Sequence, residues 1–469
     1  MPLKQFTTDF QTLAKDQYLR NDEKFYVFLS SSNWNLFDVK NKNLISLKDI
    51  LVDDYNNFEY EDGEEYKGIP TGQTYLDEDG YIKEFQPVTV EDHPGRLKYK
   101  VSNDNILISS LRLAKSPALY FENENLNDYV FSNGFYICKV KDGWNKKFVL
   151  YILRTKKLKG ILDNHIYRGI GISVYKDDDL KRIEIPLIPK SRQDQIVAEI
   201  EPIEKKIKKL KNQITPPQEI INKVFAREFE FDLEKFEELK KEKFFEVDFS
   251  KISNYHSLRF DVKNQKYLDI FNDIIKASGS SFFLKSISED KGKYGANEPA
   301  KDGEKGIDTR YIRITDIDSI GNLSDDDWRT AENIDEQYLL KDDNFLFARS
   351  GNTVGKTFLY DSSKHEEAIF AGYFIKFNLD FTSLDKLFFL YYTKSFIYDF
   401  WVKGIVRIKG QPNINANEYL ELKIPNISLK SQQKIVDEIK TELDKQEGMK
   451  KKIETQRNKI DEIIEKVIK

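Results

Sequence analysis

The sequence predicts an α+β protein. Two mixed α/β domains form a tandem repeat about a pseudo-twofold axis, separated by two long helices that make an antiparallel coiled coil. Three observations predict this. Landmarks recur in the same order 239 positions apart. Each repeat mixes strand-like alternation with short helical runs. Each also ends on an Ile-Pro pair followed by an apolar stripe at heptad spacing.

The repeat can be followed along the chain. "DNILISSLRLAKSPALYF" from Asp104 lies against "DNFLFARSGNTVGKTFLY" from Asp343. "RGIG" at Arg168 matches "RIKG" at Arg407, and "IEIPLIPKSRQDQIVAEI" from Ile183 matches "LKIPNISLKSQQKIVDEI" from Leu422. "FDVKN" occurs at Phe37 and again at Phe260, a shorter offset, so the second copy has gained about sixteen residues between these anchors. Runs such as "YIRITDID", "NILISSL" and "AGYFIKFNLD" read as strands, and "SLDKLFFLYYTKSFIYDFWV" reads as helical. A residue before proline avoids helix, so Ile185-Pro186 and Ile424-Pro425 close the globular parts. The resulting boundaries are 1–190 for the first domain, 191–245 for a central helical region, 246–428 for the second domain and 429–469 for a C-terminal helix.

The helices carry the clearest periodicity. Ile196, Ile200, Ile203, Ile207, Leu210 and Ile214 form an unbroken a/d seam, ended by "TPPQ" at Thr215. Ile435, Ile439, Met449, Ile453, Ile460, Ile463 and Val467 fit the same register, with Glu442, Gln446 and Gln456 weakening its middle. Such stripes also arise when a helix simply packs on its own domain. A seam this narrow, repeated in both copies, points instead to the two helices packing on each other.

Composition narrows the function classes. The 469 residues are 39% apolar and 33% charged, with no apolar run of about 18 residues, so no membrane span is expected. The first residues carry acids and lack the apolar core of a signal peptide. A single cysteine, Cys138 in the strand-like "GFYICKV", fits a buried thiol in a reducing cytoplasm. A net charge of −5, from 79 acids and 74 bases, argues against a chain that coats nucleic acid unaided, while leaving room for local basic surfaces. The four histidines are scattered singly, so no metal site is expected.

Catalytic patterns are missing. "GNTVGKT" at Gly351–Thr357 resembles a phosphate-binding loop, but a P-loop needs glycine where Ser350 stands. The repeat counterpart of this stretch, around Arg112 to Pro117, has no Gly-Lys-Thr. A tight turn between two strands accounts for it better. No [DN]-P-P-[FYW] loop, no G-x-G-x-x-G turn and no G-x-S-x-G elbow occurs, and "GIGI" at Gly169 lacks the dinucleotide spacing. "SDDDW" at Ser324–Trp328 reads as a solvated loop.

Together, "RFDVKNQKYLD", "RYIRITDID", "LFARSGNTVGKT", "GYFIKFNLD" and "KGQPNINANEYLELKIPNISLKSQQKIVDEI" resemble the specificity subunit of type I restriction–modification systems. The marker "IPxxxxxxQ" before a helix stands in both copies, and the second copy is the closer match. The resemblance implies a non-catalytic subunit with two target-recognition domains. Each would read one half of a split, asymmetric double-stranded DNA target, with the helix pair as a ruler for the unread spacer. It also implies two methyltransferase subunits that methylate adenine N6, and motor and nuclease subunits for restriction. S-adenosylmethionine, ATP and Mg²⁺ would then sit on those partners, with no cofactor in this chain. Two other readings stay open, a stand-alone DNA-modifying or DNA-cleaving enzyme and a protein-binding scaffold.

Reading a half-site requires polar side chains on base edges and cations on phosphates. Basic and amide residues beside glycine-containing turns are the candidates. In the second copy they are Arg310, Arg313, Arg349, Lys356, Arg407, Lys409 and Gln411; in the first, Lys67, Arg112, Lys115 and Arg168. Residues that read sequence should differ between the copies, because the half-sites differ.

Overall fold

The computed structural model describes residues 43–72, 74–77, 79, 81–110, 118–122, 124–162, 177–234, 238, 262–325, 327–406 and 411–468. The chain forms two compact units, residues 1–212 with 451–469, and residues 213–450. In the first unit, β1 (Leu44–Ser46), α1 (Leu47–Ile50), β2 (Leu51–Asp53), β3 (Asn56–Asn57), β4 (Tyr66–Ile69), β5 (Gln86–Val88), β6 (Leu97–Lys100), β7 (Ile106–Ser109), β8 (Ala118–Tyr120), β9 (Tyr129–Ser132) and β10 (Phe135–Val140) come first. Helices α2 (Lys146–Arg154), α3 (Lys156–Ile161) and α4 (Asp177–Lys181) follow, and β11 (Glu184–Pro186) leads into α5 (Lys190–Lys211).

The second unit opens on α6 (Pro217–Glu228) and α7 (Val262–Ala277). Its strands are β12 (Ser281–Phe283), β13 (Lys293–Tyr294), β14 (Ala300–Asp302), β15 (Arg310–Ile312), β16 (Arg329–Ala331), β17 (Asn344–Ala348), β18 (Thr357–Leu359), β19 (Ala368–Phe370) and β20 (Phe374–Asn378). Then come α8 (Lys386–Tyr392), α9 (Phe396–Ile405), α10 (Ala416–Leu420), β21 (Lys423–Pro425) and α11 (Leu429–Ile468). From Lys451 on, α11 belongs to the first unit.

The sheets repeat strand for strand. The order β2-β10-β7-β8 matches β13-β20-β17-β18, the antiparallel pair β1-β11 matches β12-β21, and the parallel pair β4-β9 matches β15-β19. The first unit widens its parallel pair to five strands, β3-β6-β9-β4-β5, whereas the second carries β14-β16 as a separate ribbon. Central strands β7 and β17 are buried along their whole length, which is why they read as continuous apolar runs. Cys138 of β10 is fully buried, its thiol against the carbonyl of Ile106.

The Ile-Pro…Gln marker has a physical role, identical in both units. Gln193 and Gln432 stand in the first turn of α5 and α11 and are buried. The Gln193 amide donates to the Ile188 carbonyl (2.8 Å), and its oxygen accepts from the backbone N–H of Asn145 (2.7 Å), the N-cap of α2. Gln432 donates to Ile427 (2.8 Å) and accepts from Asp385 (2.6 Å), the N-cap of α8. Each glutamine ties the start of a long helix to the start of a domain helix and satisfies backbone groups that burial would otherwise penalise.

The apolar stripes pack on the other helix, as expected, and also on their own domains. In the first unit, Ile196, Val197 and Ile200 share one core with α2 residues Phe148–Leu153 and with Ile464 of α11, and Ile460 and Ile463 pack at its edge. Ile207 is buried, while Ile203, Leu210 and Ile214 are half-buried. The order of contacts is antiparallel: Ile200 shares the core with Ile464, and Lys211 shares the Asp79 carboxylate with Arg457. In the second unit, Thr215 donates to Gln446 (3.0 Å) and Arg227 pairs with Glu438 (2.6 Å), again in reversed order. There Ile221, Val224 and Phe225 of α6 share a core with Ile435, Val436 and Ile439.

Two details of the seam differ from expectation. Ile464, not Ile463, takes the fully buried position near the end of α11. Gln446 and Gln456 are buried within the seam alongside Met449 and Ile453. Gln446 is needed there because the Thr215-Pro216-Pro217 break between α5 and α6 frees the Thr215 N–H, which its side chain accepts. The Val467 side chain lies outside the described ones.

A hairpin, Leu76–Ile82, anchors the first unit's sheets to these helices. The Asp79 carboxylate accepts from Arg457 (2.9 and 2.8 Å) and is paired with Lys211, which also meets Asp77. Burial works against this carboxylate, but the bonds from Arg457 and Lys211 outweigh it and hold its pKa below the ordinary range.

Candidate nucleic-acid interface

The glycine-rich stretch of the second unit is a strand-to-strand turn. It joins β17 to β18, which pair antiparallel through Phe347 and Thr357, whereas a phosphate-binding loop opens a helix. Gly351 and Gly355 have φ of 83° and 89°, a region that disfavours any side chain. A Cβ on Gly355 would also lie 2.8 Å from Val402. The turn is pinned to the next segment by bonds from Gly351 to the Pro412 carbonyl (3.0 Å) and from Ile414 to the Arg349 carbonyl (2.9 Å). That places the exposed Gln411 beside Gly351.

The structure separates the predicted cations into two kinds. Arg349 has no acidic partner among the described residues. Its guanidinium stacks 4.9 Å from the ring centre of Tyr294, which is 41% exposed. Its backbone N–H donates to Tyr373 (2.8 Å), whose side chain is 59% exposed. Arg349, Tyr294, Tyr373 and Gln411 thus make a basic and aromatic surface, a combination that suits phosphates and base faces.

The other three are engaged inside the unit. Lys356 donates to the carbonyls of Ile314 (3.1 Å) and Ile317, and burial lowers its pKa against the pull of Asp318 and Asp316. Arg310 is 3% exposed, pairs with Asp325 (2.7 Å), donates to the Ser324 carbonyl and stacks 4.5 Å from the Trp328 ring centre. Arg313 is gripped by Asp316 (2.6 Å) and Asp327 (2.9 Å), which raise its pKa.

In the first unit, Lys67 is half-buried and has no acidic partner among the described residues. Its ammonium sits 5.0 Å from the ring centre of Tyr129 and 5.6 Å from that of Phe85, itself 45% exposed. Strand register makes Lys67 the equivalent of Arg310: Lys67 faces Tyr129 across β4-β9 as Arg310 faces Ala368 across β15-β19. The bond from Arg349 to Tyr373 also has a counterpart, from Ser110 to the Gly134 carbonyl (2.9 Å). One shared backbone position therefore presents Arg and Tyr in the second unit but Ser and Gly in the first.

Arg112, Lys115, Arg168, Arg407 and Lys409 lie outside the described residues. The aromatic members, Tyr294, Tyr373, Phe85 and Tyr129, escape a search for cations beside glycines. Among the described residues, no His, Cys, Asp and Glu side chains group to hold a metal ion, and no helix is long and apolar enough to cross a membrane.

No protein-family model matches the sequence, and no curated protein does. Solved structures include similar chains, among them the following three. One is a chain from work on complex assembly and conformational transition of the type I R-M system, at 11% identity and TM-score 0.42, covering 92% of this chain and 98% of that one. The second is the HsdS subunit from Thermoanaerobacter tengcongensis, at 13% identity and TM-score 0.34, covering 91% and 96%. The third is the type I restriction-modification S subunit from M. genitalium, at 14% identity and TM-score 0.39, covering 92% and 98%. Over nine-tenths of its length, then, this chain is similar to chains of type I restriction-modification systems, two of them S subunits.

Proposed function

We propose that this chain is the non-catalytic DNA-specificity subunit of a type I restriction–modification complex. The observation that carries this reading is one fold used twice with unlike surfaces. Half-buried Lys67 lies over Tyr129 and the exposed Phe85 on the first unit, and half-buried Arg349 lies with the exposed Tyr294, Tyr373 and Gln411 on the second. Equal scaffolds with unequal readers suit a bipartite, asymmetric target in double-stranded DNA. The antiparallel helices set the length of the unread spacer and dock two methyltransferase subunits that modify adenine N6. Restriction and translocase subunits join the same assembly. S-adenosylmethionine, ATP and Mg²⁺ belong to those partners.

The test is helix length. One heptad is about 10 Å of helix, or about three base pairs of duplex. Deleting one heptad from α5 and its partner heptad from α11, then mapping methylated adenines in host DNA, is expected to shorten the spacer and leave both half-sites unchanged. Altered half-sites with an unchanged spacer would sink the ruler.

A further inference from the structure

The two units handle one equivalent cation in opposite ways. Both build the same hairpin next to it. Leu76 bridges Ile82, with the Asp77 carboxylate accepting from Asp79 and Tyr81 (both 2.9 Å). Ile317 bridges Leu323, with Asp318 accepting from Ile320 (2.9 Å) and Asn322 (2.8 Å). The chain then returns an aromatic ring to the cation, Phe85 to Lys67 and Trp328 to Arg310. In the first unit only Lys83 and Glu84 intervene, and their charges cancel. In the second unit the stretch is Ser324, Asp325, Asp326 and Asp327.

Two of these carboxylates, Asp325 and Asp327, reach back onto the basic residues. Asp325 binds Arg310 (2.7 Å) and Lys305 (2.5 Å), and Asp327 binds Arg313 (2.9 Å) and Arg329 (2.6 Å). Both carboxylates stay about half exposed. The packing beneath them is not saturated: Arg310 Nε and Trp328 Nε1 are buried donors with no partner among the described residues. Unpaired buried donors beside a guanidinium are what a phosphate oxygen or a water would satisfy.

We infer that Ser324–Trp328 is an acidic strap whose carboxylates occupy, in cis, the place that a DNA phosphate takes at Lys67. The first unit therefore grips the DNA backbone through this position and the second does not. The second unit's hold rests on the Arg349 surface, and the strap limits its sequence-independent attraction to DNA. This rests on the DNA-specificity reading above.

The test is the salt dependence of binding, using the full chain and a fluorescent random-sequence duplex followed by anisotropy. Each cation freed to meet a phosphate steepens the log–log salt slope by about 0.9. Asp325→Asn/Asp327→Asn is expected to bind several-fold more tightly than wild type at about 50 mM salt, with a slope steeper by about one to two. Lys67→Ala is expected to flatten the slope by about one. Should the double variant not fold, Asp327→Asn alone, which keeps the Arg310–Asp325 pair, is expected to show a smaller gain of the same sign. If wild type binds and the folded strap variants bind no better, the strap is structural and the inference is overturned, while the DNA reading stands. If no form binds duplex DNA, the inference is overturned, while the DNA reading stands or falls on the spacer length.

Discussion

Replacing Lys394 with methionine tests how far the second unit strains to hold a buried ammonium. Lys394 lies between α8 and α9, is 7% exposed and donates to the Thr357 carbonyl (2.6 Å). Gly321 packs on its side chain. Burial pulls its pKa down from 10.5 to about 7, helped by repulsion from Lys356 and opposed by Asp318. The sign follows from proton counting. Between about pH 7 and 10.5 the unfolded chain binds the proton and the folded chain does not, so stability rises with pH across that window. Integrating the shift gives a gain of about 3 kcal/mol between pH 6 and 9.5 for this residue. Methionine fills similar space and removes the titration, at a cost of about 1 kcal/mol for the lost bond to Thr357. Urea unfolding of wild type and Lys394→Met at pH 6, 8 and 9.5 should show the variant more stable at the acid end, with the advantage gone at the alkaline end. The same pH slope in both proteins would refute the argument.

Two further predictions follow from the paired architecture. Gln193→Ala and Gln432→Ala each strip a buried bridge of two bonds, and each should cost about 1–3 kcal/mol in denaturant unfolding; a loss in one copy only would break the equivalence of the two junctions. Asp79→Asn should loosen the first unit's hairpin by about 1 kcal/mol, less at high salt. Because the folded pKa of Asp79 is depressed, the wild-type advantage is present above pH 3.8 and should vanish as pH falls through the folded value, read as converging melting temperatures.

The sequence and the structure agree where chemistry is local and part where it is not. The repeat is legible because one fold, used twice, demands apolar residues at matching places, and β7 and β17 or the two Ile-Pro junctions meet that demand within a few residues. The glutamine of the marker is legible as a spacing but not as a cause, since Gln193 meets a backbone N–H forty-eight positions away. Gln446 looks like a flaw in the seam until the broken helix opposite is seen to offer it the N–H of Thr215. The cations are the hardest case. Lys67 and Arg310 occupy equivalent rungs, each under an aromatic ring, and nothing in their immediate sequence separates them. Their fates are decided by the segment that returns the ring, two residues longer and two carboxylates richer in the second unit. A surface charge is free or spent according to what the chain brings back over it, and here fifteen positions separate Arg310 from the Asp325 that holds it. Charge counts along a sequence cannot supply that information, whereas comparison of the two copies does. The copy that lacks the strap shows the position open, and the copy that has it shows the same position closed.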